Sequence, residues 1–595
     1  MYYRLAKNKP ALQSLLIWSS LILFFSLASI PFLDFAFSGD DIFNSQTKGI
    51  LKTSHLSVLT FAFANIKAWL DVGRIFIIPF LTTYPLFNWI GDNLILYNFI
   101  HWFASIISLI FVGQFLYKIS NRKDLIILFI SLLPFCWALY PISPWTTQAF
   151  MLPMLISFIM LTLSNYINFV ERYKFRYLAY LSIFFILALS TYEIAFVIPP
   201  CVLLLNFWLK NYELKRKLIA SGSVFLIAII FITATVLLRN HFAGEYNGTS
   251  FGSLKALPLT FLKQLSSELP LMSINYFHPF LTKVPTYKFT FFIASLLFIF
   301  SVILTYSQLG KSSAISGSKW LILCCLAFQI IPATIIGLSS KMQFTVDYGL
   351  AHIPLILQQI GFCLMLALLL NNFLVFIRSN TSLKETHVRV IISLVIASFV
   401  SLNYIGNQKI TSWYNHQTRY SRELYEKAIA MGLFKTLPSE AIILKASEGN
   451  EMYWNSRFLR TQLDDRGDIL LINLSDGKAP LVDEGTERLF ERRFSNSSET
   501  NLFYLDVAHL FKSPKAGYVL LAHIANHNGK LPHLSLQLDK IKLIYFAKSS
   551  KDLTKIYADL SLKYKIDLSV LSTVSPRENQ SMVSLNLALP LSYNS

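Results

Sequence analysis

The sequence predicts an all-α polytopic membrane domain followed by a water-soluble α+β domain. Of its 595 residues, 54% are hydrophobic and 14% are charged, and the mean hydropathy is +0.50. Ordinary soluble domains carry about 25% charged residues, so most of this chain is expected to lie in lipid. After residue 406 the composition changes to mixed polar residues with short β-like runs. We therefore divide the chain into a membrane domain, residues 1–405, and a soluble domain, residues 406–595.

Eleven apolar runs are predicted to be transmembrane helices. A helix needs about 20 residues to cross roughly 30 Å of hydrocarbon. The first run follows a basic N-terminus, but it is too long for a signal peptide and no small-residue cleavage site follows it. The eleven runs are approximately Ala11–Leu33, Leu94–Tyr117, Leu125–Tyr140, Gln148–Phe169, Tyr177–Thr191, Ile194–Leu209, Leu218–Leu238, Phe289–Tyr306, Trp320–Leu338, Gly349–Ile377 and Val388–Tyr404.

The charged residues between these runs predict the orientation in the membrane. With the N-terminus in the cytoplasm, the five connections from an even-numbered to an odd-numbered run are all short and basic, as the positive-inside rule requires. The short connections on the opposite side hold one basic residue, Lys341. The net charge of +19 is therefore interpreted as a topology signal rather than as a nucleic-acid surface. Because the number of runs is odd, the soluble domain is expected outside the cytoplasm.

Several common catalytic and structural motifs are absent from the sequence. It contains no Gly-rich phosphate loop and no HExxH, which leaves dinucleotide-binding and zinc-protease functions without support. All five cysteines fall within apolar runs and none lies in the soluble domain. We therefore expect no disulfide framework and no thiolate metal site.

Two connections on the non-cytoplasmic side are long, Asp34–Asn93 and Arg239–Lys288. Long ordered loops usually carry function. The first contains an aromatic and apolar stretch, Val58–Trp89, with a few interspersed charges, which is typical of helices lying in the membrane interface. This loop is expected to cover a cavity at the membrane surface.

An acidic pair stands just after the first apolar run, in the segment Ser38-Gly39-Asp40-Asp41. Two adjacent carboxylates at the edge of a bilayer must be solvated, paired with cations or used in binding or catalysis. The alternative to a functional role is a helix N-cap, because a carboxylate stabilises the first turn of a helix without any chemistry.

The order of these parts resembles the GT-C superfamily of membrane glycosyltransferases. Those enzymes have a cytoplasmic N-terminus, a DD, DE or ED motif in the first outer loop, juxtamembrane helices within that loop, and often a soluble C-terminal domain. The resemblance covers roughly residues 1 to 405 and extends to bacterial enzymes that glucosylate O-antigen and related surface polysaccharides. It is carried by GDDIF at residues 39–43, Gly73-Arg74, Tyr192-Glu193 and Ser340-Lys341.

The resemblance implies transfer of a sugar, with glucose as the candidate, from a polyprenyl-phosphate donor to a cell-surface glycan at the periplasmic face of a bacterial inner membrane. Such a reaction needs a base for the acceptor hydroxyl and cations for the departing phosphate. Either Asp40 or Asp41 is expected to be the base, in a direct displacement that inverts the anomeric carbon. The lipid bilayer, the lipid-linked donor and the glycan acceptor are the expected partners, and no nucleic acid is expected.

Three cations are candidates for binding the donor phosphate. Arg74 offers bidentate hydrogen bonds to phosphate oxygens, although an anchor to lipid headgroups would use the same residue type. Lys341 lies on the side where the positive-inside rule disfavours cations, with a snorkelling lysine as the alternative. Arg239, in the second long loop, completes the set.

Four further residues are candidates for binding substrate: Tyr192, Glu193, His241 and His278. Glu193 lies between two apolar runs with almost no loop, where a carboxylate is costly unless it faces a cavity or a partner. The alternative is a hydrogen-bonded structural carboxylate in a tight turn.

The sequence predicts no required cofactor and no defined metal site. Asp347 and His352 could join the acidic pair in holding a divalent cation, but their spacing does not establish that they converge. The sequence therefore neither predicts nor excludes a bound divalent cation.

Three other functions remain as alternatives. A transporter or flippase for a lipid-linked glycan would place charges midway along helices and often show internal repeats. An O-antigen polymerase or ligase would place its main outer loop late among the membrane helices. A noncatalytic assembly protein would leave Asp40 and Asp41 replaceable. In the soluble domain, Tyr453 and Trp454 are candidates for contacting an acceptor glycan, with core packing as the alternative.

Overall fold

The computed structural model divides the chain into two compact units. Unit 1 comprises Met1–Asp41 and Val58–Ser412, and unit 2 comprises Ile42–Ser57 and Trp413–Ser595. The structure describes residues 9–38, 40–91, 93–137, 139, 146, 151–241, 250–282, 284, 287–311, 313–315, 317–380, 384–435, 437–446, 469–474, 502–510, 513–528, 535–547, 549–564, 580–585 and 589–592. Gly39, Tyr453 and Trp454 lie outside these residues.

Helices form most of the described part of unit 1, as the composition predicts. In chain order over both units, the helices are α1 Lys9–Ala28, α2 Ile30–Leu33, α3 Asp40–Asn44, α4 Thr47–Ser54, α5 Val58–Asp71, α6 Ile78–Ile90, α7 Leu94–Ser120, α8 Lys123–Cys136, α9 Met151–Arg172, α10 Phe175–Leu189, a 3₁₀ turn Glu193–Val197, α11 Ile198–Trp208, α12 Leu214–His241, α13 Leu257–Ser266, α14 Pro270–Leu281, α15 Lys288–Leu309, α16 Ser318–Leu338, α17 Ser340–Thr345, α18 Leu355–Asn380, α19 Glu385–Gln417, α20 Arg419–Ala430 and α21 Ser550–Tyr564.

Seven helices in the described residues are long and apolar enough to cross a membrane, which supports a membrane protein. The predicted number of eleven is not confirmed. Helices α8, α10 and α11 have 14, 15 and 11 residues, so each rises only roughly 16–22 Å at 1.5 Å per residue. Within α1, residues Ser19–Ala28 form an apolar segment. The seven long helices are α7, α9, α12, α15, α16, α18 and α19.

A glycine allows α16 and α18 to cross closely within the core of unit 1. A Cβ atom on Gly361 would lie 2.7 Å from the Phe328 Cβ and 2.9 Å from the Cys325 carbonyl oxygen. Small residues at such contacts let two helix backbones approach. The fully buried Leu357 and Ile360 of α18 belong to the same hydrophobic core. This crossing fixes the position of the first turns of α18.

Two buried asparagines of α19 hold the end of α8. The Asn407 side chain accepts from the Leu139 N–H at 2.9 Å and donates to the Trp137 carbonyl at 3.0 Å. Asn403 donates to the Pro134 carbonyl at 2.8 Å. The last carbonyls of a helix have no partner within the helix, so these side-chain amides satisfy groups that would otherwise be buried without a hydrogen bond.

Unit 2 contains a mixed sheet in the C-terminal region, consistent with the predicted α+β composition. Strand β1 is parallel to β2 and β3, and the remaining pairs are antiparallel. The order is β2-β1-β3-β4-β5-β6, and β7 pairs with β5. The strands are β1 Ile442–Ala446, β2 Leu470–Leu474, β3 Leu502–Leu510, β4 Ser513–Asn528, β5 Ser535–Phe546, β6 Gln580–Leu585 and β7 Leu589–Ser592.

Alternating side chains give this sheet two buried faces, each covered by a helix. On β3, Leu502 and Tyr504 pack with α21 residues, whereas Leu505 and Val507 pack with α20 residues. This follows from the two-residue period of a strand, which sends successive side chains to opposite faces. The β-like runs predicted at Ile442–Leu444, Gly517–Ile524 and Ile541–Phe546 lie within β1, β4 and β5, and the run predicted at Ile469–Leu474 begins one residue before β2.

Candidate functional site

The acidic pair divides into one buried and one exposed carboxylate. Asp40 and Asp41 form the first turn of α3. Asp41 has no exposed surface, and its carboxylate accepts a hydrogen bond of 2.5 Å from the Tyr97 hydroxyl of α7. Asp40 is exposed. The two acids therefore differ in access to a ligand, although the chain places them side by side.

Arg74 is held by a carboxylate and three aromatic rings. Its Nε and Nη2 donate to the two carboxylate oxygens of Glu193 at 2.6 and 3.0 Å. The guanidinium lies 5.0 Å from the centre of the Trp69 ring, 4.9 Å from Phe76 and 5.2 Å from Tyr192. Fork-to-fork pairing with a carboxylate and stacking on aromatic faces both fix the plane of a guanidinium. Arg74, Tyr192 and Glu193, which were predicted separately, thus lie together.

Gly73 brings Arg239 to the same place. Its φ of +72° lies in the left-handed region, and a Cβ atom there would lie 2.1 Å from the Arg239 Cγ. Arg239, near the end of α12, donates from Nε to the Gly73 carbonyl at 3.3 Å. Only glycine adopts this conformation without steric cost and leaves room for the arginine. The Gly73-Arg74 sequence therefore serves both the turn and the approach of a second cation.

Two pKa shifts show which charges act on one another. Burial favours the neutral acid of Glu193, but the nearby Arg74 and Arg239 outweigh it and hold the pKa of that carboxyl below its ordinary value. Burial, together with the charges of Arg74 and Lys341, lowers the pKa of His352 to about 3. We call Arg74, Arg239 and Lys341 the cationic cluster. His352 is a neutral imidazole beside it.

A row of aromatic side chains links the cationic cluster to the acidic pair. We call Phe76, Phe80 and Tyr84 the aromatic ridge; their ring centres are 5.3 and 5.5 Å apart in succession. Phe80 and Tyr84 stand one turn apart on α6, since positions i and i+4 share a helix face. Burial and the Asp40 carboxylate raise the pKa of Tyr84 above its ordinary value, which places Asp40 near this end.

The ridge sets the scale of the site. The ring centres of Phe76 and Tyr84 can lie no further apart than the two successive separations of 5.3 and 5.5 Å taken together. Arg74 stacks on Phe76 at one end and Asp40 acts on Tyr84 at the other. The ridge therefore joins a cation that carries hydrogen-bond donors to an exposed carboxylate, within unit 1.

Other predicted residues lie elsewhere or have other partners. His278 is exposed on α14 and, among the described residues, forms no hydrogen bond or ion pair with the cationic cluster. His241 is exposed at the last position of α12. Asp347 forms an ion pair with Lys263 at 3.2 Å. Within the described ranges, no three His, Cys, Asp or Glu residues are close enough to hold a metal ion.

Several polar residues near this site were missed by sequence reasoning. Tyr97 binds Asp41, and Gln264 and Gln358 form a buried hydrogen-bonded pair at 2.8 Å. Glu268, in the second long loop, is 3% exposed. Glu268 could have been found from the sequence, because it is a lone carboxylate in the apolar stretch around α13 and α14 and such residues are rarely buried. Glutamine and tyrosine side chains are uncharged and give no such signal.

No protein-family model matches the chain, and no curated protein matches it.

Proposed function

We propose that this protein is a membrane glycosyltransferase of the GT-C type, which moves a sugar from a polyprenyl-phosphate donor to a glycan acceptor. The observation that carries the proposal is the aromatic ridge, with the cationic cluster at one end and Asp40 at the other. A donor phosphate needs cations and an acceptor hydroxyl needs a base, with a short distance between them. The two ends of the aromatic ridge provide these groups.

The cationic cluster supports binding of the donor phosphate. Arg74, Arg239 and Lys341 carry three positive charges, and Glu193 among them carries one negative charge. Glu193 occupies two nitrogen atoms of Arg74 and so orients the guanidinium. In the proposed reaction, these cations stabilise the negative charge that grows on the phosphate as the glycosidic bond breaks.

Asp40 is the proposed base, because it is exposed whereas Asp41 is buried against Tyr97. The acceptor hydroxyl gives its proton to the Asp40 carboxylate while its oxygen attacks the anomeric carbon. The bond between that carbon and the phosphate oxygen breaks, and the phosphate leaves with the electron pair. Attack from the face opposite the leaving group inverts the anomeric configuration. Asp41 supports the first turn of α3 through Tyr97.

The proposal includes the topology expected from the sequence. We propose eleven spans, in which α1, α8, α10 and α11 complete the seven long helices. The N-terminus would be cytoplasmic, and the site and unit 2 would each face the periplasm of a bacterial inner membrane. A lipid-linked donor suits that location, because nucleotide sugars are not supplied there. Glucose is the proposed sugar and a surface glycan such as O-antigen the proposed acceptor.

The test uses the purified full chain with polyprenyl-phosphate glucose and candidate glycans. Asp40→Asn is expected to lower transfer by roughly 10²-fold or more, the range for loss of a general base. Asp41→Asn is expected to lower it less, because the amide still accepts a hydrogen bond from Tyr97. Asp34→Asn, an exposed acid of the same loop, is the control and should retain activity. Full turnover by both Asp40→Asn and Asp41→Asn would overturn the proposal.

A further inference from the structure

Glu268 is a buried carboxyl group that the proposed reaction does not use. It lies between α13 and α14 and is 3% exposed. Its Oε1 accepts a hydrogen bond of 3.3 Å from the Gln358 Nε2 in the first turn of α18. Among the described residues, no lysine or arginine forms an ion pair with it. Burying a carboxylate without a cation is very costly, so such a group is expected to keep its proton.

Two fully buried glutamines connect Glu268 to His352. The Gln264 Nε2 donates to the Gln358 Oε1 at 2.8 Å. The Gln264 Oε1 accepts from the His352 backbone N–H at 2.9 Å, and its Nε2 also lies 3.3 Å from the His352 carbonyl oxygen. One side-chain amide thus binds both polar groups of the His352 backbone. The chain Glu268, Gln358, Gln264 fixes where His352 lies.

The charges around this network are few and identifiable. On the side of α13, Lys263 is paired with Asp347. On the side of His352, the facing charges are Arg74 and Lys341. From the end of α8, the buried Cys136 thiol faces Glu268. None of these supplies a counter-charge bonded to the carboxyl group.

Burial raises the pKa of Glu268 to about 8, and the hydrogen bond from Gln358 opposes this only in part. The group is therefore a neutral acid at pH 7. Above pH 8 it would become a buried anion beside Gln358.

We propose that Glu268 is a positioning residue that acts as a neutral acid, holding Gln358 and Gln264 so that the His352 segment stays beside the cationic cluster. Its role in sugar transfer rests on the proposed function, whereas its neutral state in the folded protein does not. Ionisation of Glu268 would place an unpaired charge in the network and displace the His352 segment.

The first arm of the test measures thermal unfolding of the detergent-purified full chain between pH 4 and 9. The folded pKa exceeds the ordinary value of about 4.3, so the unfolded chain binds fewer protons and stability falls as pH rises through the window from about 4.3 to 8. Glu268→Gln cannot ionise. Within that window, the Tm of the wild type should fall by roughly 1–2 °C per pH unit relative to the Tm of this variant. Outside the window, the two curves of Tm against pH should run parallel.

Glu213→Gln is the matched control, because Glu213 is exposed and paired with Arg216. Its Tm curve should run parallel to that of the wild type from pH 5 to 9. If the curves of the wild type and Glu268→Gln also run parallel there, Glu268 is charged in the folded protein and the inference is overturned.

The second arm measures sugar transfer against pH. Wild-type activity should fall by up to tenfold per pH unit above about 8, as the neutral fraction declines, and Glu268→Gln should lose this alkaline decline while keeping its activity at pH 7. A decline shared by both proteins overturns the positioning role. If the wild type transfers no sugar, the proposed function is refuted, and the Tm curves still decide whether Glu268 is neutral.

Discussion

Replacing Arg74 and Glu193, singly and together, is expected to reveal a strong coupling between them. The two side chains are 13% and 28% exposed, so the pair lies between a surface ion pair and a fully buried one. Surface pairs contribute about 0–1 kcal/mol, and breaking a buried pair costs about 3–5 kcal/mol. With two charge-assisted hydrogen bonds, we expect a coupling free energy of about 1–3 kcal/mol.

The measurement is a double-mutant cycle of unfolding free energies with Arg74→Gln, Glu193→Gln and the double variant. Each single variant leaves one charge without its partner, so each should cost more than half of what the double variant costs. Single costs that add within about 0.5 kcal/mol would contradict the coupling.

The same pair predicts a pH dependence with a defined sign. Arg74 holds the pKa of Glu193 below its ordinary value, so the unfolded chain binds the proton more readily than the folded one. The stability that this carboxylate contributes is fully present above about pH 4.3. It is lost as the pH falls below that value. The stability gap between the wild type and Glu193→Gln should narrow on acidification, and a gap independent of pH would refute the assignment.

Two further predictions concern stability. Gly73→Ala places a Cβ atom 2.1 Å from the Arg239 Cγ at a positive φ, so it should destabilise unit 1 by about 1–3 kcal/mol. The control is Gly222→Ala, which has open space around it and should not destabilise the protein. Equal Tm values for the two variants would contradict the close approach of Arg239 to Gly73. In unit 2, Asp506→Ala leaves the buried hydroxyls of Tyr518 and Tyr564 without this acceptor. It should cost about 1–3 kcal/mol in denaturant unfolding, more than Asp506→Asn, and equal costs would argue against those bonds.

Residues with a clear electrostatic signature could be predicted from the sequence. Lys341 stood out because cations are rare in the short connections on its side of the predicted topology, and Glu193 because a carboxylate between two apolar runs is costly. The structure adds what spacing cannot show: that Arg74 and Glu193, 119 residues apart, share two hydrogen bonds. The aromatic ridge was hidden for another reason, since phenylalanines in an apolar stretch are indistinguishable from core residues.

Helix lengths were less predictable than helix existence. Hydropathy places the third run as far as Tyr140, yet α8 ends at Cys136, shortly after Pro134. Beyond that point, asparagine side chains of α19 bind the backbone instead. Hydropathy averages over such details, because a residue buried in protein and one facing lipid have similar polarity. The network of Glu268, Gln264 and Gln358 could not be predicted either, because no spacing of glutamines in a sequence indicates that their side chains form hydrogen bonds.

Neighbouring identical residues on a helix are never equivalent, because each step turns the side chain by about 100°. The doublet that opens α3 therefore sends one acid inward to Tyr97 and the other outward. Deleting one residue ahead of it would move Asp41 into the position of Asp40 and turn its side chain by about 100°. A protein that carried such a deletion would keep its acidic motif, yet Asp41, which now accepts a hydrogen bond from Tyr97, would occupy the exposed position.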